Sequence, residues 1–154
     1  MKILGINFTK LNAEKFSIDA KGVKIGTHID LSEIREVKSD FFSSKEKVLG
    51  IKFSYEIDYD PNFAKIKLAG NILISVDETK FNQILEGWKE KNLPDDFRLS
   101  IFNLILKKSS LKALQLEEEL NIPLHIAMPF LKAQDKSQEA KETKQPQDFK
   151  INSK

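Results

Sequence analysis

Hydrophobic and polar residues alternate with a period of two along three stretches in the first half of the chain. The stretches begin near Val23, Ile51 and Ala64, and each places aliphatic or aromatic residues at every second position. Because successive side chains of a strand point to opposite faces, the pattern predicts strands with one apolar face and one polar, solvent-exposed (wet) face. The turn signal Asp60-Pro61-Asn62 joins the second and third stretches into a hairpin of long strands. Further strands are predicted near residues 2–8 and 14–19.

The second half of the chain changes to helical spacing. Asp77 suits the N-cap of a first helix, which carries an apolar stripe at i, i+3, i+4 and i+7. A second helix is predicted from Asp95 to Lys108, and a third from a cap at Ser109 or Ser110 to Asn121. Together these elements predict an α+β fold, in which an antiparallel sheet of long strands is followed by two or three helices on one face. The first helical stripe consists of Phe81, Ile84, Leu85 and Trp88.

An apolar stretch bounded by two prolines follows the predicted helices. It runs from Ile122 to Phe130, and Pro123 and Pro129 lie within it. Proline cannot donate a backbone hydrogen bond, so the stretch is predicted to be an extended strip, neither helix nor central strand. Residues 133–154 are polar and charged and are predicted to form a disordered tail. The sequence therefore predicts a single domain over residues 1–132 and a tail over 133–154.

Composition narrows the classes of function. A chain of 154 residues is long enough to bury a core. It contains no cysteine, which excludes disulfides, thiolate metal sites and thiol nucleophiles. The net charge of +2 argues against strong electrostatic capture of nucleic acid. The N-terminal residues lack a signal-peptide pattern and no apolar run is long enough to span a bilayer, so we expect a cytoplasmic protein without membrane insertion.

No set of residues forms a recognisable catalytic, metal or cofactor site. His28 and His125 are too few for a metal centre. Residues 56–60 carry three carboxylates on one strand face, and residues 117–119 are three glutamates in a helix; both groups are predicted to be solvated. The scattered glycines form no phosphate-binding loop. We therefore expect a binding protein and not an enzyme, with no cofactor.

The apolar residues of the chain indicate a function more strongly than its polar residues do. The sheet, the helices and the strip each offer an apolar face, and these faces can either close one core or leave a groove for a partner, since large exposed apolar patches mark partner sites. The second alternative predicts contacts to an unfolded or extended polypeptide. The predicted peptide-binding residues are Phe53, Tyr55, Ile57, Ile126, Met128 and Phe130.

The order of these parts resembles the SecB family of export chaperones. The hairpin of residues 48–76 is similar to the central strands of that family, and Leu93-Pro94 followed by Arg98 resembles its proline-to-arginine step. The strip Ile122–Pro129 is similar to the proline-flanked connection of the family. The resemblance covers residues 1–130 and implies a homo-oligomer that binds extended polypeptides. Residues 109–121 look inserted relative to the family, and the polar tail stands where its long last helix would be.

A structural subunit of a larger assembly is the alternative function. In that case Lys52, Lys65 and Lys67 on the wet strand faces would contact RNA or a protein partner. No aromatic residue is interleaved with these lysines for base stacking, so nucleic acid has weaker support than a polypeptide as the partner.

Overall fold

The computed structural model describes residues 1–38 and 46–133, which form one antiparallel sheet followed by two helices. The predicted α+β fold is therefore confirmed. Most of the predicted tail, residues 134–154, lies outside the described residues. The elements are β1 (Lys2–Lys15), β2 (Lys24–Glu36), β3 (Lys47–Asp60), β4 (Ala64–Val76), α1 (Glu78–Lys89) and α2 (Asp95–Leu120).

The predicted hairpin forms the centre of the sheet. The strand order is β1-β4-β3-β2, so β3 and β4 are flanked on both sides and β1 and β2 are the edges. The register of the hairpin runs from Tyr59 opposite Ala64 to Lys47 opposite Val76. The turn contains a cis Asp60-Pro61 bond, and Asn62 has φ of 47°, a left-handed conformation that asparagine tolerates.

The first strand departs from the sequence prediction. Two separate strands near residues 2–8 and 14–19 were expected, whereas β1 is continuous from Lys2 to Lys15. Its pairing with β4 shifts register between Ile3 and Gly5 and again between Phe8 and Lys10. Each such irregularity moves the side-chain alternation by one position, which interrupts the period-two pattern in the sequence without ending the strand.

The core lies between the helices and one face of the sheet. That face consists of alternate residues of the two central strands, all buried, as the period-two pattern predicts. The opposite face carries the polar residues of the same strands. The core residues of this face are Leu49, Ile51, Phe53, Tyr55, Ile57 and Tyr59 from β3, and Ile66, Leu68, Ile72 and Ile74 from β4.

The first helix begins as its sequence predicts. The Asp77 carboxylate accepts a hydrogen bond from the Lys80 backbone N–H at 2.9 Å, which satisfies one of the free donors of the first turn. Phe81 and Ile84 are buried against the sheet side of the molecule. In α2, Asp95 and Asp96 occupy the first turn, where negative charge complements the helix dipole.

The second and third predicted helices are one helix. Ser109 and Ser110, predicted to cap a new helix, lie inside the 26-residue α2 and are buried. The Ser110 hydroxyl is hydrogen-bonded to the Tyr55 hydroxyl at 3.1 Å, so a partner on the sheet occupies the group that would otherwise cap. The buried residues follow a row at i+4 spacing, which crosses the helix surface obliquely. This row is Phe97, Ile101, Ile105, Ser109, Ala113 and Glu117.

Gly70 makes room for aromatic packing in the centre of the sheet. It lies opposite Phe8 of β1 and Phe53 of β3, whose rings meet edge to face with centroids 6.2 Å apart. A Cβ at this position would lie 2.4 Å from the Asn7 carbonyl oxygen and 2.7 Å from the Phe53 ring. We expect Gly70→Ala to lower the free energy of unfolding by about 1–3 kcal/mol in urea denaturation.

Gly5→Ala is the matched control, because nothing lies within 4 Å of its added Cβ. It should change the free energy of unfolding by less than about 0.5 kcal/mol. Equal effects of the two substitutions would contradict the close packing of Phe53 on Gly70.

Candidate functional site: an apolar strip held by a buried polar cluster

The apolar strip begins where α2 ends. Asn121 adopts the left-handed conformation, with φ of 52° and ψ of 51°, and its backbone N–H bonds back to the Glu118 carbonyl. The Ile122 N–H bonds to the Glu117 carbonyl, which completes the helix terminus. Pro123 follows, so the helix cannot continue. The chain from Ile122 to Leu131, here called the strip, is then neither helix nor strand, as predicted.

The strip exposes most of its apolar side chains. Only Ile122 is buried in the core, whereas Phe130 is 74% and Leu131 91% exposed. The predicted contact residues Ile126, Met128 and Phe130 are all on this open surface. A series of exposed apolar residues within one short segment is unusual on a protein surface and marks a site of interaction. The exposed apolar residues of the strip are Leu124, Ile126, Met128, Phe130 and Leu131.

The other three predicted contact residues lie in the core. Phe53, Tyr55 and Ile57 are at most 2% exposed. They occupy the apolar face of β3, which the helices cover, so they offer no surface to a peptide in this arrangement. The structure thus separates the six predicted residues into two groups.

A buried polar cluster holds the strip against the body. It comprises Tyr55, Tyr59, Ser110, Glu117 and His125. The Glu117 Oε1 atom accepts hydrogen bonds from the Tyr59 hydroxyl at 2.5 Å, from the His125 ring Nδ1 at 2.6 Å and from the His125 backbone N–H at 3.3 Å. The His125 Nε2 atom lies 3.2 Å from the Tyr55 hydroxyl. His125, in the middle of the strip, is thereby tied to both α2 and β3.

Donor and acceptor roles in the cluster follow from the carboxylate. A carboxylate only accepts, so the His125 Nδ1 atom carries a proton and donates to Glu117. In the neutral imidazole the Nε2 atom then accepts from the Tyr55 hydroxyl, and the Ser110 hydroxyl donates to the Tyr55 oxygen. Each hydrogen-bonding atom named here has a partner, which offsets the cost of burying these particular atoms.

Burial changes the acidity of both phenols. Burial raises the pKa of Tyr59, and its hydrogen bond to Glu117 and the negative charge of that carboxylate raise it further. Burial also raises the pKa of Tyr55, although hydrogen bonds with Ser110 and Thr27 act in the opposite direction. Both tyrosines therefore remain protonated donors at neutral pH.

The second carboxylate oxygen of Glu117 has no such partner. Oε2 is buried and makes no hydrogen bond to any described residue, although Oε1 of the same group accepts three. Burial of an unpaired carboxylate oxygen costs free energy, and the three hydrogen bonds to Oε1 do not remove the cost of burying Oε2.

Glu117 also forms part of the wall of a cleft at the end of α2. The terminal cleft, as we name it, has a volume of about 500 Å³. Its walls combine apolar side chains of α2 and the strip with two carboxylates and one amide. The lining residues are Leu114, Glu117, Glu118, Asn121, Ile122, Leu124 and Met128.

The prediction of a solvated Glu117 was wrong, since the residue is fully buried. A signal was present in the sequence. Glu117 continues the i+4 row that begins with Phe97, whereas Glu118 and Glu119 fall outside that row and are exposed. The side chain of His125 is packed against the body and is 4% exposed.

The polar face of the sheet carries ion pairs, in agreement with the prediction of a wet face. Glu56 pairs with Lys65 at 3.3 Å and Lys67 at 2.8 Å, and these contacts, that with Lys67 first, lower the pKa of Glu56. Lys52 is likewise paired with Glu33. His28 lies 3.7 Å from Asp58. The lysines proposed for RNA contact are thus engaged by carboxylates of neighbouring strands.

In residues 1–38 and 46–133, no group of three metal-ligating side chains is assembled. No helix of the same ranges combines the length and the apolar character needed to cross a membrane.

Comparison with known proteins gives a likeness of structure and none of sequence. No family model matches the chain, and no curated protein matches its sequence. Among solved structures, the chain is similar to a SecB-like chaperone from Mycobacterium tuberculosis, solved in complex with a ChAD peptide from the HigA1 antitoxin. The sequences are 13% identical, the TM-score is 0.45, and the alignment covers 87% of this chain and 92% of that chain. We therefore derive function from the strip and the terminal cleft themselves.

Proposed function

We propose that this chain is a chaperone-like binding protein, related in its order of elements to the SecB family, that holds unfolded or extended polypeptide segments on the strip. The observation that carries the proposal is an apolar and exposed segment without helix or strand that is fixed to the body by His125. An ordinary surface loop is polar, whereas this one presents five apolar side chains to solvent.

Fixing the strip favours binding. A client that covers the strip gains roughly 25 cal/mol for each Å² of apolar surface removed from water. Because the buried cluster already orders the strip at His125, less conformational entropy is lost on this side of the complex. Such apolar contacts accept many sequences, which suits a protein that binds unfolded chains.

The backbone of the strip is also available. No backbone–backbone hydrogen bond joins residues 124–133 to another described residue. An extended client can therefore add main-chain hydrogen bonds, as in recognition by strand addition. Pro123 and Pro129 have no N–H group, so this pairing is confined to the residues between and beyond them.

Self-association is part of the proposal. The edge strand β1 exposes Ile3, Leu4 and Leu11, which are apolar residues outside the strip. A second copy of the chain that packs there would leave the strip free for a client. Light scattering of the full chain should then give a mass above that of the monomer.

Suppression of aggregation of a chemically denatured client tests the proposal. The full chain at a near-stoichiometric ratio should suppress light scattering by the client. The triple variant Ile126→Ser, Met128→Ser, Phe130→Ser should lose most of that effect, because it removes the apolar side chains of the strip. Its melting temperature should stay close to that of the parent, since the three residues are exposed.

The double variant Leu99→Ser, Leu106→Ser is the matched control. These leucines are exposed on α2 outside the strip, so the variant should keep full suppression. No suppression by the parent chain, together with no binding of an apolar peptide, would end the proposal. Recovery of the chain in one defined ribonucleoprotein complex that dissociates at high salt would favour the structural-subunit alternative.

A further inference from the structure

We infer that the terminal cleft is an anchor for a lysine side chain of the bound polypeptide, with Glu117 Oε2 as the acceptor of its ammonium group. This inference rests on the proposed function and names a chemical preference within it. Four observations support it: the unpaired oxygen, the charge of the cleft wall, the helix terminus and the apolar lining.

The unpaired oxygen requires a donor. Glu117 Oε2 is buried without a hydrogen-bond partner among the described residues, and Glu117 is one of the residues that line the cleft. A cationic donor that enters from the cleft would form a charge-assisted hydrogen bond with it, the strong kind. The bond would also remove the free-energy cost of burying that oxygen without a hydrogen-bond partner.

The electrostatics of the cleft favour a cation. Its lining contains two carboxylates, Glu117 and Glu118, and no basic residue. It also lies at the C-terminus of α2, where the free carbonyl groups give the helix a partial negative charge. An ammonium group already binds at this terminus, because Lys15 Nζ donates to the Leu120 carbonyl at 3.4 Å and to the Asn121 carbonyl at 3.2 Å.

The apolar lining suits an aliphatic stem. Leu114, Ile122, Leu124 and Met128 would contact the four methylene groups of a lysine while its charged end reaches the carboxylate. Leu124 and Met128 belong to both the strip and the cleft, so a polypeptide on the strip lies beside the cleft entrance. Met128, on the outer wall, is half-exposed and has an unbranched side chain, so it can adapt to a ligand in the cleft.

The geometry distinguishes lysine from arginine. An arginine side chain binds a carboxylate best with two parallel hydrogen bonds, one to each oxygen. Oε1 of Glu117 is already occupied by Tyr59 and by two donors of His125, which leaves one oxygen for the ligand. A compact ammonium group matches a single free oxygen, whereas a planar guanidinium does not.

The test uses three fluorescent peptides with the same apolar sequence and either lysine, arginine or norleucine at one central position. Binding to the full chain is measured by fluorescence anisotropy. The lysine peptide should bind about tenfold more tightly than the norleucine peptide and more tightly than the arginine peptide. The norleucine peptide reports the apolar binding of the proposed function, and the difference between lysine and norleucine reports the anchor alone.

Two variants test whether Glu117 is responsible for the preference for the lysine peptide. Glu117→Gln keeps an acceptor for Tyr59 and His125 but removes the charge, and it should bind all three peptides with the affinity of the norleucine peptide. Glu119 lies two residues further along α2 and is exposed, so Glu119→Gln should keep the tenfold preference. If Glu117→Gln does not fold, Met128→Lys replaces it, because an ammonium group supplied from the strip should fill the cleft and abolish the preference.

Each outcome separates the two claims. Equal binding of the lysine and norleucine peptides, or tighter binding of the arginine peptide, would overturn the anchor and leave the proposed function standing. A lysine preference that persists in Glu117→Gln or Met128→Lys would also overturn it. If no peptide binds, the proposed function fails, and the anchor fails with it.

Discussion

Replacing Glu117 with alanine is expected to lower the free energy of unfolding by about 3–5 kcal/mol, the largest loss for any single charged residue described here. The substitution removes the acceptor of three hydrogen bonds and leaves the Tyr59 hydroxyl and the His125 N–H groups buried without partners. Each donor left without a partner costs about 1–3 kcal/mol. Removal of the unpaired Oε2 atom offsets part of this cost. Urea denaturation followed by tryptophan fluorescence measures the change.

Glu119→Ala is the control for Glu117→Ala. It removes the same side chain from the same helix at an exposed position, so the free energy of unfolding should change by less than about 0.5 kcal/mol. The amide protons of the strip should also exchange faster in Glu117→Ala, because His125 loses its acceptor. A loss of stability below about 1 kcal/mol would contradict the view that this cluster holds the strip.

Phe53→Ala and Phe130→Ala should have opposite effects on stability and on binding. Phe53 is buried in β3 against Gly70, so its truncation leaves a cavity and should cost about 3–5 kcal/mol of unfolding free energy. Phe130 is 74% exposed, and its truncation should change stability by less than about 0.5 kcal/mol. Phe130→Ala should instead weaken suppression of client aggregation.

The two measurements, urea denaturation and client light scattering, must be made on the same preparations. Phe53→Ala should still suppress aggregation at temperatures where it remains folded, because it does not alter the strip. A large loss of stability in Phe130→Ala would show that the strip packs on the body through Phe130. The proposed client surface would then have to be moved elsewhere.

The central hairpin was predictable because its signal is local and repeated. Alternation over ten or more positions and a proline turn define β3 and β4 without reference to the rest of the chain. The strand β1 was harder to predict, since its two register shifts disrupt the alternation that identifies a strand. Alternation also showed that Phe53, Tyr55 and Ile57 share a face. It gave no information on what covers that face.

The errors in the helical half have a common physical origin. Serine at a helix start and serine inside a helix look alike in sequence, and only the Tyr55 hydroxyl on a distant strand decides between them. Likewise, three consecutive glutamates indicate a solvated surface, until Tyr59 and His125 supply the donors that allow one of them to be buried. Both cases depend on a tyrosine of β3 that lies 55 or 58 residues away along the chain.

The attachment of His125 has a mechanical consequence. A client that pulls on the strip loads two elements at once, since the His125 ring bonds to Glu117 on α2 and to Tyr55 on β3. The strand that receives the load is paired on both sides, with β2 and with β4, so its displacement would require two ladders to shear together. Tension from a bound chain is thus transmitted through Tyr55 to a central strand of the sheet, and through α2 to the end of β1 at Lys15.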